Sequence, residues 1–383
     1  MIRNLMLPLE LKNKTIRNFL IWFGVIVILL LLILLGIEVY LRLTETHIVK
    51  IEESEGLPSV ELDAEFLVEY TSRGRRLMPN SRVLIKNHRI SHRDIFMEIN
   101  SLGFRDDELS PEKGSDELRI LLLGDSITWA SYLPAEETFV ERAEEYLRQS
   151  LPDRLVEVIN AGVGDIGLKE EIAILEERGL AARPDLVVIS FYLNDSRPPW
   201  GFPGKLGSRG WLRRHSLLAE TIYKNLKLRS FIKEEGEDRL AWTSAMNKLN
   251  WAGDRDTFLE LAALARYDWG AAWEENSWEV IDRELDRLKE LSIKHGFGVA
   301  IVAFPVAFQV YAEFTEDIPQ QLIREKTRNR NFPFLDLLPY LRKYRREHKD
   351  IYLDWCHPAA KTNDYIGKII ADFLVRGTKG IAD

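Results

Sequence analysis

A single cysteine, Cys356, occurs in the 383 residues. No intramolecular disulfide is possible and no cysteine zinc site can be built, so stability falls to packing. The chain also lacks any block rich in lysine or arginine, and its formal net charge is −8. It therefore carries no basic footprint for nucleic acid. No internal repeat or low-complexity tract is evident. Charge is missing from Phe19 to Ile37, FLIWFGVIVILLLLILLGI, and so is proline. At 1.5 Å per residue this run makes about 28 Å of helix, close to a hydrocarbon core of roughly 30 Å. A secretory signal core is shorter and is followed by small residues at a cleavage site. Here Glu38, Tyr40 and Arg42 follow instead. The want of a cysteine after the run excludes a bacterial lipoprotein anchor. Arg3, Lys12, Lys14 and Arg17 precede it, so the positive-inside rule sets the N-terminus in the cytoplasm. The expectation is a cytoplasmic segment 1–18, a transmembrane anchor 19–41 and an extracytoplasmic remainder, periplasmic or at the cell surface in a bacterium.

The rest of the chain has the composition of a globular protein: 46% of residues are hydrophobic and 29% charged. Residues 42–117 are polar with scattered apolar residues, which suggests a stalk and an irregular N-terminal layer packed on the downstream domain. His88 and His92 have helical metal spacing, but Arg89 and Arg93 beside them favour a solvated surface. From Leu118 onward short apolar runs alternate with amphipathic stretches. Strands are predicted at 118–126, 156–164, 185–195 and 297–306, with helices at 137–151, 168–184 and 279–296. Continuous apolar runs separated by helices indicate an α/β protein with a mainly parallel sheet covered on both faces. Between the third and fourth strands, residues 196–278 form a helical insertion holding Trp200, Trp211, Trp242, Trp251, Trp269, Trp273 and Trp278. These tryptophans either line a substrate wall or build the insertion's own core, and the two roles are compatible.

The strand ends carry the chemistry. The first strand stops at Gly124-Asp125-Ser126, the second runs into Asn160-Ala161-Gly162, and the third ends at Asn194-Asp195. YLDWCHP, near the C-terminus, supplies Asp354 and His357. In parallel sheets such loops share one edge, where a serine, a base and N–H donors can converge. Serine needs a base to take its proton, and the base works best when a third group orients it. Ser126 would be the nucleophile, His357 the general base and then acid, and Asp354 the orienting carboxylate, presented by a helical turn. The backbone N–H groups of Ser126 and Gly162, with the Asn194 amide, would form the oxyanion hole. Read alone, Asp125-Ser126 is equally a helix cap. Asp125 is read as a turn acceptor and Cys356 as an inert buried thiol. His47, His215, His295 and His348 are expected at the surface or at helix ends. Asn194-Asp195-Ser196 also spells a glycosylation sequon, which a site at Asn194 would rule out.

GDSI, NAGVG, YLND and DWCH, in that order, resemble the four sequence blocks of the SGNH/GDSL hydrolases. The likeness runs from about residue 118 to the C-terminus, apart from the insertion, and the upstream INSLGFRDDE resembles a segment of envelope-anchored relatives. It implies a three-layer α/β/α, flavodoxin-like hydrolase domain at 118–383. It also implies the roles just given to Ser126, Gly162, Asn194, His357 and Asp354. Ile127 replaces the usual leucine, and Tyr192 stands where the third block usually has glycine and would narrow the pocket. Gly164 or Gly167 would stand in for a later glycine of the second block.

The expected function is a membrane-anchored esterase cleaving O-acyl esters, O-acetyl among them, of a carbohydrate or lipid through an acyl-serine. No metal or organic cofactor is expected, and the anticipated partners are the substrate and the membrane. An O-acyltransferase acting on an envelope polysaccharide and a non-catalytic envelope scaffold are the alternatives.

Overall fold

The computed structural model describes residues 7–44, 67–85, 87–197, 210–231, 233–234 and 237–377. Trp200, His47, Arg3 and most of the expected stalk lie outside the described residues. Two compact units are present: Met1–Lys50 with Arg209–Lys227, and Ile51–Ser208 with Leu228–Asp383. The N-terminal layer thus groups with the sheet-bearing region, while part of the tryptophan-rich insertion groups with the apolar N-terminus.

In the first unit, helix α1 (Leu7–Thr44) contains a stretch, Ile16–Leu43, long and apolar enough to cross a membrane. Its described side chains there are almost all exposed.

The second unit is built on a five-stranded sheet in the order β6-β5-β7-β8-β9, parallel throughout. Its strands are β5 (Glu117–Gly124), β6 (Leu155–Asn160), β7 (Leu186–Tyr192), β8 (Gly298–Phe304) and β9 (Phe334–Asp336). β5 and β7 are buried along their whole length, which is why they read as largely apolar runs, with Glu117 and Arg119 at the start of β5 the exceptions. The chain leaves β5 for β6 on one side and then crosses to β7 on the other. Right-handed crossovers in opposite directions put helix α3 (Phe139–Ser150) and helix α4 (Leu168–Glu177) on opposite faces. α3 packs against the C-terminal helix Ala360–Gly377, and α4 against Trp278–His295. The result is the expected three-layer α/β/α arrangement. The switch point falls between β5 and β7, and in open α/β sheets ligands bind beyond the carboxyl ends at such a point.

Three elements depart from expectation. The N-terminal layer is not irregular: β1 (Val68–Thr71) pairs with β2 (Gly74–Leu77), and β3 (Ser81–Ile85) with β4 (Ile95–Ile99), each antiparallel. β4 alternates buried and exposed residues, but five residues are too few for periodicity to stand out. The helix predicted at 168–184 stops at Glu177 and resumes as a 3-10 turn at Gly179–Ala182. The edge strand β9 is three residues long and gave no apolar run to detect.

Candidate active site

Helix α2 (Ser126–Trp129) starts where β5 ends, capped by Asp125, whose carboxylate accepts from Ile127 N at 3.0 Å. Ser126 therefore occupies the first helical position, where backbone N–H groups have no partner inside the helix. It is half-buried among buried neighbours, so its hydroxyl is reachable. Ser126 Oγ donates to His357 Nε2 at 3.1 Å, and His357 Nδ1 donates to Asp354 Oδ2 at 2.7 Å. That network fixes the imidazole tautomer with its free lone pair toward the serine.

Asp354 and His357 are not on a helical turn. They sit in a bend closed by an isolated bridge between Tyr352 and Pro358. Asp354 Oδ1 accepts from the backbone N–H groups of Cys356 (2.9 Å) and His357 (2.8 Å). One carboxylate thus folds the turn and orients the imidazole. Burial alone would raise its pKa, but His357 and these N–H donors outweigh burial and hold it below the usual carboxylate range. Cys356 Sγ lies 3.1 Å from His357 Nδ1 and is buried. Asp354, Cys356 and His357 are the only metal-ligating group gathered among the described residues, within 4.8 Å of one another. Asp354 and His357 are already engaged with each other.

Gly162 lies against α2 and Asn194 beside its cap Asp125, but Gly162 does not act as the sequence suggests. Gly162 N–H donates to Asn160 Oδ1 at 3.1 Å, so in this structure it is not an open oxyanion donor. What the glycine provides is approach: a Cβ there would stand 2.2 Å from Trp129 N and 2.7 Å from Thr128 C, inside the backbone of α2. Gly162→Ala is therefore expected to push α2 and its serine aside. Overpacking of this kind typically costs 1–3 kcal/mol, readable as a lower melting temperature with a larger fractional loss of kcat. Asn194 is 2% exposed, which puts the sequon beyond a glycan's reach. Its side chain hydrogen-bonds the Asp125 carboxyl, and Asp195 closes its turn by accepting from Tyr192 N at 3.1 Å. Tyr192 is buried, and burial pushes its phenol well above the ordinary range.

Sequence reasoning missed the residues of the N-terminal layer that brace these loops. Arg105, from the INSLGFRDDE segment, is buried and donates to two carbonyls at the end of α2, Trp129 (2.7 Å) and Ala130 (2.6 Å), and to Leu133 O (2.6 Å) in the turn that follows. A fixed cation suits the negative end of a helix. Asn160 adds a bond to Thr128 O at 2.9 Å. Arg75, from β2, donates to Gly164 O in the loop after β6. His88 is 1% exposed, not solvated as expected. Its Nδ1 accepts from Ile90 N at 3.2 Å, and burial, together with the charges of His357 and Arg105, pushes its pKa down to about 4. Of the remaining histidines, His215, His295 and His348 are exposed at or beside helix ends.

The insertion's tryptophans largely build a core. Trp242 and Trp269 are buried, and Trp242 meets Trp269, Phe308 and Trp355 edge-on at 6.1, 5.9 and 5.5 Å. Through Trp355 this cluster supports the bend that carries Asp354 and His357. Asp268, capping the turn at Trp269, is buried with its carboxyl pushed up to about 7 by burial, opposed by the Trp269 N–H. The folded state thus holds its proton longer than the unfolded chain does. Stability conferred by this group is intact near pH 4 and is lost as pH rises toward 7. Asp268→Asn is expected to melt as wild type does at pH 4 and above it at pH 8. The gap should be on the order of a few kcal/mol, measured by denaturant unfolding at both pH values.

No family model matches the chain, and no curated protein matches it. Solved structures to which it is similar include an acetyl xylan esterase, at 17% identity and TM-score 0.37, covering 67% of this chain and 98% of that one. Another is a catalytic mutant of an acetylxylan esterase from Geobacillus stearothermophilus, at 15% identity and TM-score 0.35, covering 70% and 98%. A third is a lipolytic protein of the G-D-S-L family from Desulfitobacterium hafniense, at 10% identity and TM-score 0.36, covering 67% and 99%. At that level of similarity the reading of the site rests on the chain's own atoms.

Proposed function

We propose that the protein is a serine ester hydrolase of the SGNH type, anchored by α1 and acting outside the cytoplasmic membrane on O-acyl esters of a carbohydrate or lipid. The observation that carries the reading is the relay from Ser126 Oγ through His357 to Asp354 at the head of a helix. In this mechanism His357 takes the Ser126 proton as Oγ attacks the ester carbonyl. It then gives that proton to the departing alcohol oxygen, leaving an acyl-serine that water hydrolyses by the same steps. Negative charge builds on the former carbonyl oxygen, beside the Ser126 N–H at the start of α2 and the Asn194 amide. The α2 N-terminus favours that charge. Asp354 stays ionised and stabilises the imidazolium.

The basic residues before the apolar run support a cytoplasmic N-terminus. A tether suits a substrate that is itself insoluble or membrane-bound, because it confines the enzyme where the ester is. Full-length protein in detergent, given p-nitrophenyl acetate with and without an oligosaccharide acceptor, tests the reading. Release of acetate unaffected by the sugar is expected. Acetylated sugar formed at the expense of acetate would make the protein an acyltransferase, and no turnover at all would leave a scaffold.

A further inference from the structure

The first unit contains a second element whose surface is inside out. The short helix Trp211–His215 and the start of helix Leu217–Phe231 share this unit with α1. Glu38 joins them. Its carboxylate accepts from Leu217 N (3.1 Å), Leu218 N (3.0 Å) and Ser216 Oγ (2.9 Å), at the N-terminus of the longer helix. Arg42, one turn on, donates to His215 O at 2.8 Å. Glu38 directly follows Ile37, the last residue of the uncharged run. The helix pair is therefore fixed at the level where, if α1 spans a bilayer, hydrocarbon gives way to headgroups.

On this pair four large apolar side chains face out, while Leu228 and Phe231 at the far end of the longer helix are buried. Trp211 is 74% exposed, Leu212 61%, Ile222 50% and Leu226 62%. Ile222 and Leu226 are four residues apart and so share one helix face. Several charged residues face in: Glu220 and Lys224 are each 1% exposed, and Arg213 pairs with Glu220 at 2.7 Å, whereas Lys227 and Arg229 stay exposed. A helix of a soluble protein buries its apolar stripe and exposes its charges. The reverse arrangement, with a tryptophan at the edge, suits the membrane interface.

We infer that Trp211, Leu212, Ile222 and Leu226 seat in the interfacial layer of the bilayer that α1 crosses, giving the chain a second membrane contact. The inference rests on the membrane-spanning reading of α1. Continuity with that helix, and the depth set by Glu38, select lipid over another protein as the occupant.

The test uses full-length protein with Cys356→Ala, reconstituted into vesicles of phosphatidylcholine and phosphatidylglycerol. Nitroxides are placed singly through Leu226→Cys, Ile222→Cys, Leu30→Cys and Ile293→Cys. Ile293, 72% exposed on the helix Trp278–His295 of the other unit, is the aqueous reference. Labels at 222, 226 and 30 should relax severalfold more with oxygen than with a water-soluble nickel chelate, and the label at 293 should show the opposite. If 222 and 226 behave as 293 does while 30 reports lipid, the inference is overturned and the span stands. Shielding of 222 and 226 from both reagents would mean a protein covers the face, which also overturns it. If 30 fails as well, the membrane reading itself falls.

Discussion

Ser126→Ala should lower ester turnover by on the order of 10⁶ in kcat, the scale set by removing the serine of such a triad. His357→Ala should cost about as much, and the double variant no more than either alone. The reason is geometric. With Oγ 3.1 Å from Nε2 and Nδ1 2.7 Å from Asp354, neither group has a task without the other. The Ser126 side chain is half-buried at the head of α2 and caps nothing, since Asp125 is the cap. The alanine variant should thus melt where the wild type does. Steady-state hydrolysis of p-nitrophenyl acetate, corrected for the background rate, is the measurement. Additive losses in the double variant would mean that serine and histidine work independently.

Arg105→Ala should be the most damaging change away from the triad. Removing the guanidinium strands the buried carbonyls of Trp129 and Leu133 and takes one of two donors from Ala130 O, which keeps the Leu133 N–H. A hydrogen bond to a charged group is worth about 1.5–3 kcal/mol, so a loss of ~3 kcal/mol or more in unfolding free energy is expected. The Trp129 and Ala130 carbonyls lie at the end of the four-residue helix that begins with Ser126, so a shift there moves Ser126 relative to His357. A displacement of about 1 Å can cost 10²-fold in rate. The loss should appear in kcat more than in KM, measured well below the melting temperature. Arg105→Lys should not restore it, because one ammonium cannot span three acceptors as a planar fork does. Full rescue by lysine would reduce the residue to a generic positive charge.

The parts of this molecule legible in sequence are those in which one stretch of chain carries its own signal. β5 and β7 are buried end to end and read as largely apolar runs. The strand-end residues Ser126 and Asn194 could be assigned to one edge because a parallel sheet sends all its exits the same way. Residues whose meaning depends on distant partners were not legible. His88 beside two arginines looks solvated in one dimension, yet the turn between β3 and β4 buries it near His357. Arg105 and Arg75 acquire roles only once the N-terminal hairpins are laid against the loops after β5 and β6. Gly162 is expected from sequence as an oxyanion donor, but the direction of its N–H depends on Asn160 Oδ1, which spacing does not encode. The Asp354–His357 pair was expected from a three-residue helical offset, and an aspartate-capped bend produces the same meeting by another route.

Whether the hydroxyl at the end of β5 is activated can be asked directly with a fluorophosphonate, which reacts with serines made nucleophilic by a neighbouring base. The full-length protein is treated and the adduct located by peptide mass. The account predicts one adduct, on Ser126, that is lost in His357→Ala. An unlabelled Ser126 in folded protein, or labelling that persists without His357, would contradict it.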